Sequence, residues 1–181
     1  MLIEEYTGHI DGHGVIAAKQ IIAQKNKYLG RVMAVTVHAG FFAQPSSGLY
    51  TADFQCSAGD DYYDSLNVTI NPVVTVNRTG YPNNILMPYN APWTDILDSL
   101  ILLPPDADIQ ITNTYHSGLR QLTASVRCEF LNPMNSTYKL VVLLTEDSIV
   151  SPQRDYTATP TDVLNYVHRH MLRDAISSTS W

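Results

Sequence analysis

A run of six residues, Val32 to Val37, constrains the fold of this chain more than any other feature. It is apolar at almost every position and contains three valines, which is the pattern of a strand covered on both faces. Helices usually provide that cover, and the strands beneath them are usually parallel. The run therefore predicts a parallel sheet with helices packed against it.

The residues before this run complete a strand, loop, helix and strand unit. Leu2 to Tyr6 has the composition of a strand, and the polar turn that follows, Thr7 to Gly14, contains three glycines. Apolar residues then recur at helical spacing, while lysines and glutamines fill the other face. These apolar positions are Val15, Ala18, Ile21 and Ile22. The chain thus begins as an α/β unit.

More helices and a strand precede a pair of prolines. Ser57 to Leu66 opens with a capping serine followed by aspartates, which favours a helix start. Pro72 precedes Val73 to Asn77, a segment rich in β-branched residues and therefore a strand. Trp93 to Leu103 has helical periodicity and ends at Pro104. Between these elements, Thr79 to Pro92 contains three prolines and predicts a long loop.

Beyond Pro104 the composition changes to that of β-structure. Alternation of apolar and polar residues between Leu122 and Glu129 predicts an antiparallel strand with one wet face. The tail from Val163 to Ile176 fits either a helical or an extended period. We expect an α/β domain at residues 1–103, followed by an antiparallel β-rich extension at residues 104–181 that ends in a short helix or an extended tail. Its strand-like runs are Ile109 to Tyr115, Leu119 to Phe130 and Tyr138 to Thr145.

Charge and hydropathy exclude two classes of protein. The formal net charge is −6 and no run of Lys and Arg stands out, so nucleic acid is not an expected partner. The longest apolar runs are far shorter than the roughly 20 residues of a membrane-spanning helix. Met1 leads directly into a strand-like segment without a signal sequence, which predicts either a cytosolic protein or a trimmed domain.

The loop before the first helix carries the most conspicuous candidate ligands. His9, Asp11 and His13 stand at alternate positions, and imidazole and carboxylate groups bind zinc, copper and iron. His38 ends the buried strand and would lie near the same loop. These four residues are a candidate site for a divalent metal. The alternative is a solvated turn in which Asp11 stabilises the helix N-terminus, with His38 as a hydrogen-bonded structural residue.

The cysteines and the motifs of common hydrolases give no sign of catalysis. Cys56 and Cys128 fit neither a zinc-binding nor a Cys-x-x-Cys spacing. They would either pair as a disulfide or remain free thiols in apolar surroundings. The chain contains no Gly-x-Ser-x-Gly, Ser-x-x-Lys, phosphate-loop or His-Glu-x-x-His motif. A catalytic set assembled from distant residues is left open.

Aromatic residues concentrate around the proline-rich loop. Side chains with an apolar body and a polar tip are favoured in recognition surfaces, so this loop is a candidate contact region. The alternative is that these residues cover a core. They are Tyr50, Tyr62, Tyr63, Tyr81, Tyr89 and Trp93.

Two segments are distinctive, Thr7-Gly8-His9 and His38-Ala39-Gly40-Phe41-Phe42-Ala43. Shorter segments are spread along nearly the whole chain, and they are Glu4-Glu5-Tyr6, Asp53-Phe54, Pro72, Val76-Asn77-Arg78, Glu146-Asp147 and His168-Arg169-His170-Met171-Leu172-Arg173. Together these segments resemble the Omp twenty-eight-related family of Bacteroidetes outer-membrane lipoproteins. The resemblance implies a thioredoxin-like first domain, a β-rich second region, an outer-membrane location and a lipid anchor that this chain lacks.

One departure from the family pattern determines the function that the resemblance implies. Many members follow the Thr-Gly-His turn with Cys-x-x-Cys-Pro, and here Asp11, Gly14 and Val15 occupy the two cysteine positions and the proline position. Disulfide exchange needs one thiolate to attack and a second thiol to resolve the mixed disulfide. Redox activity is therefore not expected.

The resemblance also places Pro72 where thioredoxin-like proteins carry a cis-proline facing the active loop. The expected binding edge then combines the degenerate loop, with His9, Asp11, His13 and Gly14, and the proline edge, with Asn71 and Pro72. We expect a non-catalytic domain that binds a protein or peptide in the cell envelope or has a structural role, without a cofactor. The alternative is a metal-binding protein or enzyme that uses the His-x-Asp-x-His loop. The oligomeric state is left open.

Overall fold

The computed structural model describes residues 1–80, 85–133 and 137–177 of a mixed α/β protein. The chain divides into two units. The first consists of Met1–Ile101 together with Leu140–Trp181, and the second consists of Leu102–Lys139. The boundary expected near Pro104 lies close to the start of the second unit. After the second unit the chain returns to the first, because later strands pair within the sheet of the first unit.

A six-stranded sheet forms the centre of the first unit, in the order β4-β3-β1-β2-β10-β7. β1 and β2 are parallel, from Leu2 opposite Met33 to Thr7 opposite His38. β10 is also parallel to β2, as the apolar run predicted. The sheet as a whole is mixed, because β3, β4 and β7 pair antiparallel with their neighbours. Its strands are β1 (Leu2–Thr7), β2 (Met33–His38), β3 (Val73–Val76), β4 (Met87–Pro88), β7 (Leu143–Glu146) and β10 (Met171–Ala175).

Three helices cover this sheet at the positions that the sequence indicated. They are α1 (Gly14–Lys27), α2 (Ser57–Ser65) and α3 (Trp93–Leu100). Because successive strand residues point to opposite faces, the sheet has two apolar cores. Tyr6, Val35, Val37, Tyr62 and Leu172 belong to the core on the side of α2. Ile3, Ile21, Val74, Trp93 and Leu97 belong to the core on the side of α1 and α3.

The C-terminal tail is extended rather than helical. It forms β9 (Asp162–His168), which pairs antiparallel with β8 (Ile149–Arg154), and then β10 of the central sheet. The loop expected at Thr79 to Pro92 contains the short strand β4, and residues 81–84 within it, Tyr81 included, lie outside the described residues. Among the described residues, no helix has the length and hydropathy needed to cross a bilayer.

The second unit is a two-stranded antiparallel ribbon. Its strands are β5 (Ala107–His116) and β6 (Gln121–Phe130), paired along ten consecutive positions from Ala107 opposite Phe130 to His116 opposite Gln121. The two strands correspond to two of the runs expected in the β-rich region.

Candidate functional site

The glycine-rich loop at the carboxyl end of β1 is closed by β8 and the residues just after it. The backbone N–H of Arg154 donates to the carbonyl of His9 at 2.9 Å, and that of Tyr156 donates to the carbonyl of Gly12 at 3.0 Å. The side-chain amide of Gln153 donates to the carbonyl of Asp11 at 2.9 Å. A polar loop of this kind would normally obtain its hydrogen bonds from water. Here the protein supplies them, so the loop is buried.

Asp11 ties this loop together from inside. Its carboxylate accepts hydrogen bonds from the Thr7 hydroxyl at 3.2 Å and from the backbone N–H of His13 at 3.0 Å. The side chain is 3% exposed, so the alternative of a solvated turn is wrong. Burial raises the pKa of Asp11, while hydrogen bonds from His13 and Thr7 act in the opposite direction. Through these hydrogen bonds Asp11 connects the end of β1 with the start of α1.

Gly14, which the family resemblance aligned with a cysteine position, is packed too tightly to accept a side chain without movement. A Cβ at position 14 would collide with Oγ1 of Thr7, whose hydroxyl already donates to Asp11. A thiol at this position would require the Thr7 side chain to move, breaking the hydrogen bond to Asp11. The local packing thus matches the residues present here rather than a Cys-x-x-Cys motif.

Beside the loop, three buried histidines surround one phenylalanine. The rings of His9, His38 and His168 lie with their centroids 5.6, 5.4 and 5.1 Å from that of Phe54. All three histidines are at most 4% exposed. Tyr50 stacks on His9 with ring centroids 5.4 Å apart. We call these three histidines and Phe54 the histidine cluster.

Burial keeps the histidine cluster neutral. It lowers the pKa of His168 to about 4 and lowers the pKa of His38 well below its usual value, with repulsion among the three rings adding to the effect. The pKa of His9 is also lowered by burial. Both ring nitrogens of His9 lack a hydrogen-bond partner among the described residues. The histidine cluster is therefore a group of buried, neutral aromatic rings beside the loop.

The four candidate metal ligands are not gathered into one ligand set. His9 and His38 are neighbours, with ring centroids 6.3 Å apart. The ring of His13 instead packs against Tyr89 and Tyr156, each with a centroid distance of 5.0 Å. Among the residues that the structure describes, no group of three or more His, Cys, Asp or Glu side chains is placed to hold a metal ion. A metal site at this loop stays a prediction from the sequence.

The proline edge lies beside the turn that follows β2. The Asn71–Pro72 peptide is cis, and the side-chain amide of Asn71 donates to the carbonyl of Ala39 at 3.3 Å. Gly40, with φ of 71°, lets the chain turn into a single 3-10 turn at Phe41–Ala43. Pro72 itself is buried, whereas Phe41 and Ile70 are 76% and 59% exposed.

Comparison with protein families decides where this chain belongs. The family model described as outer membrane protein Omp28 matches residues 59–181, more than half of the chain. The chain belongs to this family. Comparisons with curated proteins and with solved structures find no match in either. Membership of the Omp28 family makes this an outer-membrane protein.

The Omp28 match begins within α2 and includes Pro72, the covering strand β8 and His168, while the glycine-rich loop precedes it. Of the residues that close the loop, sequence reasoning missed Gln153, Arg154 and Tyr156. Each of these residues lies more than 140 positions after the loop residue to which it donates, and no local motif marks them. His168 was noted in the sequence, but nothing there indicated that it would lie beside His38.

The remaining candidate residues of this Omp28 family member are the two cysteines and the aromatic residues of the expected contact region. Cys56 and Cys128 are free thiols, half-buried and exposed respectively. Cys56 donates to the carbonyl of Leu172 at 3.7 Å, and burial raises the pKa of its thiol. Among the aromatic residues of the expected contact region, Tyr50, Tyr62 and Trp93 are at most 7% exposed. These three side chains are part of the buried core, as the alternative interpretation predicted.

Proposed function

We propose that this Omp28 family chain is a non-catalytic domain that binds a protein or peptide partner in the cell envelope. The observation that carries the proposal is the closed loop, in which Asp11 and Gly14 stand at the dithiol positions and β8 covers the backbone. Without a thiolate at this loop, electrons have no route to a bound substrate. Recognition is the activity that remains.

The topology supports a thioredoxin-like origin for the first unit. β1, α1 and β2 form a parallel strand, helix and strand unit, and Pro72 directly precedes the antiparallel β3. We further propose that the full-length protein is a lipid-anchored outer-membrane lipoprotein of the Bacteroidetes, with this unit held outside the bilayer.

The binding surface that we assign consists of Phe41, Ile70 and Asn71, and we call it the proline edge surface. Phe41 and Ile70 expose most of their apolar side chains. The hydrogen bond from Asn71 to the carbonyl of Ala39 ties their two segments together. The side-chain oxygen of Asn71 has no partner among the described residues but is buried, so the role of Asn71 at this surface is to hold the two segments together. The surface thus consists of two apolar anchors, Phe41 and Ile70, whose positions are fixed by Asn71.

Selection of a phage-displayed library of random dodecapeptides against the intact chain tests this assignment. We expect enriched peptides that bind in the micromolar range, and Phe41→Ser should weaken the binding roughly tenfold or more, because exposed aromatic residues dominate small interfaces. Titration calorimetry with the synthetic peptides measures the loss.

Leu29→Ser is the matched control, since Leu29 is 80% exposed but precedes β2 rather than following it. This variant should bind the peptides as the unaltered chain does. An equal loss in both variants, or a library from which nothing is enriched, would contradict the assigned surface.

A further inference from the structure

The β5–β6 ribbon has two chemically different faces. One face is entirely polar and includes Asp108, Gln110, Thr112, Arg127 and Glu129. The other face carries no charged residue, and we call it the uncharged face. It consists of the cross-strand pairs Ala107 and Phe130, Ile109 and Cys128, Ile111 and Val126, Asn113 and Ala124, and Tyr115 and Leu122.

The uncharged face exposes a large part of its apolar side chains. Ile109, Ile111, Tyr115, Leu122 and Phe130 are 55%, 58%, 61%, 44% and 50% exposed. A two-stranded ribbon is marginally stable in water by itself, and sheets become stable when a second layer covers their apolar face. A contiguous exposed patch of this kind marks an interaction site.

We infer that the uncharged face of the ribbon packs against the same face of a second copy of this chain, forming a four-stranded sandwich between two molecules. The inference goes beyond the proposed peptide binding and does not depend on it. Charge does not oppose this pairing, because the uncharged face contains no Asp, Glu, Lys or Arg side chain. A charged partner would find no complementary group there.

Size complementarity favours a second copy as the partner. A twofold axis parallel to the strands places each residue opposite the copy of its own cross-strand partner. Ala107 then faces the partner's Phe130, and Ile109 faces the partner's Cys128, so that a small side chain opposes a large one at one end of the face. At the other end Tyr115 faces the partner's Leu122, an apolar pair of two large side chains. Alternation of large and small side chains across facing layers allows close packing. The cross-strand pairs of one ribbon thus determine which side chains meet between the two ribbons.

The available area suits a weak but specific dimer. Five large apolar side chains at about half exposure, with the smaller ones between them, would bury about 500–600 Å² per molecule, or about 1,000–1,200 Å² in total. Stable specific interfaces begin near about 1,000–1,200 Å². A dissociation constant on the order of 1–100 μM is therefore expected.

Sedimentation velocity of the intact chain from about 1 to 500 μM, a range set by that dissociation constant, tests the inference. We expect the mass to rise with concentration toward twice the 20.2 kDa of the chain. Ile111→Lys, which places an ammonium group in the middle of the uncharged face, should abolish the rise. Thr112→Lys adds the same charge at the next position, on the polar face, and should leave the rise unchanged.

Ile111→Thr provides a second variant that keeps a β-branched residue in the strand. It should weaken the self-association at least severalfold while the circular dichroism spectrum stays that of the unaltered chain. Three results would overturn the inference: a monomer at every concentration, a dimer that survives Ile111→Lys, or equal dispersal by Ile111→Lys and Thr112→Lys.

Discussion

Replacing Arg78 with methionine will lower the free energy of unfolding of the first unit by about 3–5 kcal/mol, because it leaves a buried carboxylate without its partner. Two nitrogens of the Arg78 guanidinium donate to the two carboxylate oxygens of Glu4, at 2.6 and 2.8 Å. Glu4 is 1% exposed, and its other donor is the hydroxyl of Thr75 at 2.9 Å. Arg78 also lies over the ring of Tyr62, 4.7 Å from its centroid.

Urea unfolding followed by the fluorescence of Trp93 measures this effect. Trp93 is fully buried in the first unit, and a Trp181→Phe background isolates its signal. Lys27→Met is the control, because the Lys27–Asp98 pair is also an ion pair at 2.6 Å but is largely exposed. Lys27→Met should move the midpoint little. A comparable shift in both variants would contradict the importance of burial.

A double variant separates the lost pair from the unpaired charge. Glu4→Gln with Arg78→Met removes both ionised groups, so it should be more stable than Arg78→Met alone. If the double variant were the less stable of the two, the unpaired carboxylate could not be the source of the loss.

Acidification from pH 6.5 to pH 4.5 will destabilise the first unit by a few kcal/mol. Burial lowers the pKa values of His9, His38 and His168 below the ordinary value near 6.5. In this window the unfolded chain binds protons that the folded histidine cluster does not, so stability falls as the pH falls. Each histidine contributes about 1.4 kcal/mol per pH unit over the range in which it remains neutral in the folded state.

Two buried carboxyl groups oppose this trend. Burial raises the pKa of Glu5 to about 8, with the charge of Asp11 adding to it. The folded chain then holds a proton on Glu5 that the unfolded chain loses above its ordinary pKa of 4.5. This contribution decreases as the pH rises, and Asp11, whose pKa is also raised, acts in the same direction. Three histidines outweigh these groups, so the net slope remains positive with pH.

The His168→Phe variant tests the assignment of the slope to the histidine cluster. Phenylalanine retains an aromatic ring beside Phe54 and removes the proton, so the slope should decrease by about 1.4 kcal/mol per pH unit. Urea midpoints measured at several pH values give the slope. His116→Phe, a change at an exposed position of β5, is the control. A slope that His168→Phe leaves unchanged would assign the acid sensitivity elsewhere.

The elements that could be predicted from the sequence are those with a local period. Val32 to Val37 has the pattern of a covered strand, and Val15, Ala18 and Ile21 have helical spacing, so β2 and α1 were expected. Tyr166 to His168 fits both periods, and only its pairing with β8 makes it a strand. The sheet order depends on β10 joining β2 from far along the chain, and no local signal predicts such a contact.

The candidate site was predicted in its residues but not in its environment. A loop with three glycines, two histidines and an aspartate has the composition of a solvated turn. It is buried instead, because the protein itself satisfies its carbonyls. Gln153 and Arg154 of β8 donate to Asp11 and His9, and Tyr156, which follows β8, donates to Gly12. The absence of cysteine at positions 11 and 14 needed no structure, and it remains the basis of the proposed function.

The most direct test of that basis is the reduction of insulin by dithiothreitol with the folded, intact chain present. Because Asp11 and Gly14 provide no thiol at the loop and β8 covers it, we expect insulin to precipitate at the rate of the protein-free control, while thioredoxin at the same concentration accelerates it. Acceleration by this chain would contradict the account, and its loss in a Cys56→Ser, Cys128→Ser variant would assign the redox activity to those two thiols.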